Sequence, residues 1–334
     1  MSYDDCLDGW FRCGSPGEKG ALSGFLPVGS QKYFKVDKPL ESPMFLAEAA
    51  DITATEHRVT GGSQMKLTLI TAMITGLGIF FSASALAEDK ATGAEIVQQC
   101  DNKYPGEDSR SQLSITLKDK SGNQRKTVYL RLWKDMKGEA QILDKMVLFT
   151  MFPPDAKGAA FMRWSYTEAA EKNADQWIYL PVLRKIRRVS VRDLADSFLG
   201  SDLTYGDITL RSADKDDHKL LGVEADRKGN KYWMVETTPK GPYQYSRWIS
   251  WYTKSDDSDK CVKVRVDYYD PKGGFLKRQH LSWQRVNEAW VWDKVFVENR
   301  QTFHTSFFEV SKVKINGGIE DDWFTERRLR KGIN

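Results

Sequence analysis

Histidine is scarce in this chain. Of the four in 334 residues, His218, His280 and His304 lie far apart, never at the H-x-x-x-H or H-E-x-x-H spacing that sets two metal ligands on one helical face. That excludes the common zinc hydrolases. No G-x-S-x-G elbow, phosphate-binding loop or dinucleotide fingerprint occurs, and the pair Gly273-Gly274 is accounted for by a turn. The expectation is a non-enzyme with no catalytic residue, no metal and no cofactor. The competing possibility is an acid/base pair assembled from scattered carboxylates.

Cysteine is also sparse. Only Cys100 and Cys261 follow residue 87, and they either pair or remain two buried thiols; pairing needs Cα atoms within about 7 Å, which sequence cannot reveal. Two further absences bear on architecture. No linker divides the residues after 87, so one domain is expected there, and no long helical pattern separates the extended segments, as parallel crossovers would require.

What is present begins with Met65. Lys66 follows it directly, an apolar run extends from Leu67 to Phe81, and Ala85-Leu86-Ala87 fits the small-x-small cleavage pattern of a secretory signal. Leu67 to Leu86 could alternatively anchor the chain across a hydrocarbon core of roughly 30 Å. The small residues from Ser82 to Ala87 favour cleavage after Ala87, with Glu88 as the first mature residue and the periplasm as destination. Residues 1–64 have no sustained period and little to bury, so we expect a non-native extension upstream of a true start at Met65. Gly61-Gly62 agrees, since their codons can encode a ribosome-binding sequence. The organisation expected is thus 1–64 extension, 65–87 signal peptide and 88–334 a single domain. That domain carries 43 Lys and Arg against 37 Asp and Glu, a balance suited to acidic partners such as membrane headgroups. Nucleic acid is not an expected partner of an exported chain.

After residue 110 the sequence reads as successive half-buried strands. Val128, Leu130 and Leu132 alternate with Tyr129, Arg131 and Trp133, and Val262, Val264, Val266 and Tyr268 with Lys263, Arg265 and Asp267. Asp119 to Asn123, Asp226 to Asn230 and Asp270 to Gly274 share one spacing, Asp followed three residues later by Gly, which predicts three tight hairpins. Antiparallel neighbours follow, in a strongly curved sheet or barrel. Two short helices are expected to cover it. Thr92 to Glu95 has capping-box spacing with Ile96, Val97, Cys100 and Tyr104 on one face, and Val191 to Leu199 places Leu194 and Phe198 one turn apart before Gly200.

Ten of the eleven tryptophans follow residue 87, and single ones normally fill a core. Several strands, however, are apolar on both faces: Met146 to Phe152, Ala159 to Trp164 and Trp177 to Leu180. A barrel wall wetted on one side needs only one such face, so the second must meet a helix, a ligand or another protein. Arg184, Lys185, Arg187 and Arg188 then crowd one strand, either as a charged sheet edge that resists pairing or as a cationic rim for a membrane surface.

Asp175 to Ser190 (DQWIYLPVLRKIRRVS) and Asp196 to Tyr205 (DSFLGSDLTY) resemble the central signature of the outer-membrane lipoprotein-sorting protein-like family, in the LolA/LolB-like periplasmic carrier superfamily. Looser similarity runs from the first hairpin through Pro153 to Gly158 and on to Asp322 to Thr325. Gly206 departs from it where an acidic residue is expected, and Asp207 is positioned to substitute. The resemblance implies an incomplete, mainly β antiparallel barrel, here of about eleven strands, with helices over its open mouth and a cavity for acyl chains. It also implies a partner among inner-membrane exporters of the resistance-nodulation-division type.

On this reading Trp133, Phe149, Met151, Phe161, Trp164, Trp177, Tyr179 and Trp233 line a lipid cavity on the concave face. Ile96, Val97, Leu194 and Phe198 act as lid residues, and the four cations form the rim. Each buried methylene contributes about 0.8 kcal/mol, so a long acyl chain is worth on the order of 10 kcal/mol before ordering costs. Release therefore requires a lid that can replace the ligand. The alternative is a non-carrier accessory subunit, the same barrel filled by its own side chains and docked on the exporter.

Overall fold

The three Asp-x-x-Gly segments close hairpins in the computed structural model, which describes residues 91–255 and 257–333. In each, Oδ1 of the Asp accepts backbone N–H groups two and four residues on, as Asp119 does from Ser121 (2.8 Å) and Asn123 (2.9 Å). Gly122, Gly229 and Gly273 take φ of 89°, 85° and 84°, which only a residue without Cβ adopts freely. The extension expected over 1–64 and the signal segment 65–87 lie outside the described residues.

Thirteen strands result, two more than expected: β1 (Asp108–Lys118), β2 (Gln124–Asp135), β3 (Ile142–Phe152), β4 (Ala160–Tyr166), β5 (Asp175–Leu180), β6 (Lys185–Arg188), β7 (Asp216–Ala225), β8 (Lys231–Pro239), β9 (Arg247–Thr253), β10 (Lys263–Tyr269), β11 (Phe275–Val286), β12 (Ala289–Asn299) and β13 (Thr305–Ile315). All neighbours are antiparallel, in the order β6-β5-β4-β3-β2-β1-β13-β12-β11-β10-β9-β8-β7. β6 and β7 are the two edges and do not pair, so the barrel is unclosed. Residues 189–215, here termed the strap, connect them.

The strap proves that the sheet curls. The Tyr205 carbonyl accepts a bond from Gln176 on β5, and the Asp207 carboxylate is bonded by Lys277 on β11. β5 and β11 stand seven places apart in the sheet order, about 34 Å if flat. Two residues of chain and the side chains involved span far less than that, so the strap lies on the inner face of a bent wall.

The expected helix from Val191 to Leu199 does not form. The segment makes two 3-10 turns, Val191–Ala195 and Phe198–Gly200, separated by extended Asp196, with Leu199 at φ 52°. Its backbone groups are paired farther along the chain: Leu194 O accepts from Gly206 N–H, Asp196 O accepts from Tyr205 N–H, and Phe198 N–H donates to Leu203 O. The strap folds back on itself instead of coiling.

The first expected helix does form. Helix α1 (Gly93–Asp101) is capped by Thr92, whose hydroxyl accepts from Glu95 N–H while the Glu95 carboxylate accepts from Thr92 N–H. Ile96, Val97 and Cys100 are buried under it against Val235 and Tyr252, but Tyr104 falls beyond its end and is exposed. Cys100 is disulfide-bonded to Cys261, with Cα atoms 5.0 Å apart. A short C-terminal turn (Asp321–Phe324) and helix α2 (Glu326–Lys331) cover the outer face of β2 to β5. Among the described residues no helix is long and apolar enough to cross a membrane.

Both faces of β2 to β5 are therefore buried. Leu113, Ile115, Tyr129, Trp133, Leu148 and Phe161 pack inward with Phe198, Leu203 and Tyr205 of the strap, whereas Leu132, Val147, Phe149 and Met162 pack outward beneath Phe324 and Leu329. On β2 it is the Tyr129, Arg131 and Trp133 set that faces in.

Candidate functional site

The strap fills the inner face of β1 to β5, and α1 covers the inner face of β7 to β9. Between them remains a cavity of about 590 Å³. Its floor is aromatic, with Trp248, Tyr252, Tyr268, Trp283 and Trp292 around Leu281, and Tyr243 and Tyr245 from the loop before β9. Asp207, Thr209, Leu210 and Arg211 of the strap form one wall, and Val97, Gln98 and Asp101 of α1 the other. The rings lie edge-on or tilted, with Tyr245 and Tyr268 centroids 4.7 Å apart and Trp283 and Trp292 6.5 Å apart.

The charges in this wall are matched. The Asp207 side chain, 3% exposed, is bonded by Lys277 Nζ at 2.5 Å, by the Tyr245 hydroxyl and by Thr204 N–H. Arg211 forks onto Asp216 and stacks 4.1 Å over Tyr243. Lys263 bonds Asp101 at 2.8 Å. Burial and the Asp207 charge hold the Tyr245 and Tyr268 hydroxyls well above the ordinary tyrosine range, so both are neutral donors. A wall of rings and compensated charges presents apolar surface with a few fixed polar contacts. Among the described residues no group of three His, Cys, Asp or Glu side chains is placed to hold a metal ion.

The residues expected to line one cavity are divided by the fold. Trp133 and Phe161 face inward, but they pack in the core beneath the strap and Phe161 stacks on Phe198 at 5.1 Å. Trp233 also faces inward, under α1. Phe149, Trp164, Trp177 and Tyr179 lie on the outer face under the C-terminal segment: Trp323 meets Phe149 edge-on, and Trp164 Nε1–H donates to the Phe324 carbonyl. Met151 shares that parity and is exposed at the end of β3. The strands are apolar on both sides because protein covers both, and no sequence pattern says which side holds the space.

Of the four lid residues, Val97 borders the cavity, and Ile96 is buried beneath α1. Phe198 is buried and Leu194 packs beside it within the strap. The disulfide pins α1, whereas the strap is held to the wall between its ends through side-chain hydrogen bonds and packing. Arg184, Lys185, Arg187 and Arg188 lie at or beside the edge strand β6, none of them on the cavity; Arg187 pairs with Asp193 and Arg188 with Asp175.

Gly206, the departure from the family signature, packs so closely that a Cβ would lie 3.0 Å from Gln244 Nε2 and 3.3 Å from Leu194 O. Asp207 makes the polar contacts. Lys263 was expected to face outward with Arg265 and Asp267. A β-bulge between Lys263 and Arg265 reverses its parity and sets it opposite Tyr252, on the cavity. Lys277 carries a signal that sequence reading missed: it shares a face with Leu281 and Trp283, where a surface lysine does not belong.

A family model described as "Uncharacterized protein" matches residues 142–331, more than half of the chain. No curated protein matches it. Among solved structures, a DUF1329 family protein from Desulfovibrio piger is 26% identical, with a TM-score of 0.64 over 71% of this chain and 97% of that one. An outer membrane lipoprotein-sorting protein domain from Vibrio parahaemolyticus has 24% identity and a TM-score of 0.63, over 71% and 98%. A LolA superfamily protein from Nitrosomonas europaea has 17% and 0.54, over 71% and 99%. These last two carry the fold alone. The chain belongs to the family whose model matches residues 142–331.

Proposed function

We propose that this chain is a periplasmic carrier that shields the acyl chains of a lipid or lipoprotein during transfer between membranes. The observation that supports it most is the cavity of about 590 Å³ between strap and α1, within the ~300–1,000 Å³ usual for a small-molecule site. Its walls are aromatic and their charges paired, so burying hydrocarbon strands no ionic group. The neighbouring half of the inner face is already occupied by Phe198, Leu203 and Tyr205. A strap that shifts would exchange its own apolar contacts for those of the ligand, keeping release near neutral.

Delivery to this compartment rests on cleavage after Ala87, which N-terminal sequencing of the secreted protein tests by finding Glu88 first. Transient membrane contact is assigned to the tip between β5 and β6. Val182 is 90% and Leu183 59% exposed, beside Arg184 and Lys185. The turn after β3 adjoins them, since a Cβ on Gly158 would sit 3.8 Å from Pro181. Exposed aliphatics ringed by cations suit an anionic bilayer.

Native mass spectrometry of the protein purified from periplasm tests the carrier reading, with co-purifying lipid as the expected result. Only lipid-free protein across preparations, together with no uptake of added fatty acid, defeats it. The second reading, an accessory subunit of a resistance-nodulation-division exporter, is favoured by the filling of half the barrel by the strap, and it gains ground in that case.

A further inference from the structure

At one end of the inner face of β1 to β5, polar side chains stand where neighbouring inward positions are apolar: Ser111, Arg131, Asp144, Arg163, Ser165 and Gln176. The register sets them in pairs on three successive rows of the sheet, the Ser111 row being that of Leu148 and Phe161 and the Arg163 row that of Trp133 and Met146. Ser111 is opposite Arg131, Asp144 opposite Ser165, and Arg163 opposite Gln176. Two guanidinium groups reach this end, and of the carboxylates there, Asp144 and Asp135 opposite it, only Asp144 is bonded by either. Arg163 takes it, donating to Asp144 at 2.6 Å and also to the Ile208 carbonyl of the strap. Arg131 donates to Ser109 Oγ at 2.9 Å, and among the described residues no carboxylate bonds it. Burial, followed by the like charge of Arg163, brings Arg131 down to about 10.

Four buried atoms here lack a partner: Ser111 Oγ, Arg163 Nε, Ser165 Oγ and Gln176 Oε1. Their residues are 2%, 7%, 4% and 0% exposed. Buried polar atoms are almost always bonded, and an uncompensated buried charge is costlier still. Three of the four can donate, and Arg131 has open N–H groups from its five. The deficit is therefore one of acceptor oxygens and negative charge.

We infer that this end of the barrel is a binding site for the anionic head, carboxylate or phosphate, of an amphiphile. An oxyanion would take a forked bond from Arg131, beside the Ser111 hydroxyl, and a bond from the Arg163 Nε–H, supplying the charge that Arg131 lacks. Trp133, Met146 and Leu148 lie on the intervening inward positions of β2 and β3 and give the site an apolar floor. Ile208, held by Arg163, stands between Asp207 and Thr209, both of which line the aromatic cavity. The anion site and the cavity thus meet at the strap, where Arg163 also holds the Ile208 carbonyl. This assignment rests on the carrier reading and adds the charge class of the cargo.

Isothermal titration of the full mature protein with dodecanoate and with dodecanol tests it. The expected result is dodecanoate binding at least 10-fold tighter, with the difference abolished in Arg131→Met and reduced in Ser111→Ala. Equal affinity for acid and alcohol overturns the anion site while leaving the carrier reading intact. Binding of neither removes both. Inorganic phosphate that raises Tm as much as dodecanoate does would make this a small-anion site and overturn the amphiphile assignment. The wild-type acid-to-alcohol ratio needs no variant, so it decides the matter even if Arg131→Met fails to fold.

Discussion

Lys277 Nζ lies 2.5 Å from Asp207 Oδ2, and the two side chains are 2% and 3% exposed. This ion pair joins the strap to β11, and the Tyr245 hydroxyl donates to the same carboxylate. Buried pairs add little net stability, but losing one partner strands the other. Lys277→Met should therefore cost about 3–5 kcal/mol in urea denaturation. The double variant Lys277→Met/Asp207→Leu should recover most of it. A single variant within about 1 kcal/mol of wild type would mean that the strap is held elsewhere.

The disulfide makes a separate prediction about α1. Cys100 and Cys261 are 161 residues apart, and their bond limits the unfolded chain while fixing the helix over Val235 and Tyr252. Reduction should destabilise the protein by about 2–5 kcal/mol. It should also expose amides of Gly93–Asp101 to hydrogen exchange before those of β11 and β12. Simultaneous exposure would show that the helix is not a separate unit.

His280 contributes to acid stability. Burial, then the nearby Arg265 and Arg278 charges, depress its pKa from 6.5 to about 4 against a smaller opposing effect of Asp267. The folded protein thus holds His280 neutral where the unfolded chain takes a proton. Stability is full above pH 6.5 and declines as pH falls toward 4, by on the order of 3 kcal/mol. His280→Gln should flatten Tm over that interval. A wild-type Tm independent of pH from 6.5 to 4 contradicts the assignment.

Membrane contact through the β5–β6 tip is separable from folding, because Val182 and Leu183 are exposed and outside the core. Their replacement by Asp should abolish flotation with vesicles containing phosphatidylglycerol and leave Tm within a degree or two. Arg184→Glu/Lys185→Glu should weaken flotation at low salt most, as screened surface attraction requires. Unchanged flotation of the Asp variant places the contact on another surface.

Local chemistry was legible in the sequence, and long-range parity was not. Asp119, Asp226 and Asp270 with their glycines set three hairpins because every bond in those turns lies within four residues. Thr92 and Glu95 likewise fixed the start of α1. The strap failed as a helix because the partners of Leu194 O and Asp196 O are Gly206 and Tyr205, about ten residues on. Apolar residues on both sides of β3 to β5 identified a doubly covered sheet, yet Phe149, Trp164, Trp177 and Tyr179 carry no mark of the side they face. The cover over them, Phe324 and Leu329, comes from the far end of the chain. Lys263 turned inward through a bulge that alternation cannot register.

The cavity between strap and α1 is tested most directly by tryptophan quenching with a bromine-labelled fatty acid. Trp248, Trp283 and Trp292 line that cavity, whereas Trp164 and Trp177 lie on the opposite face of the sheet. Saturable quenching is predicted, largely lost when Trp248, Trp283 and Trp292 are changed to Phe and retained when Trp164 and Trp177 are. Quenching that follows Trp164 and Trp177 instead, or none at saturating ligand, would contradict the account.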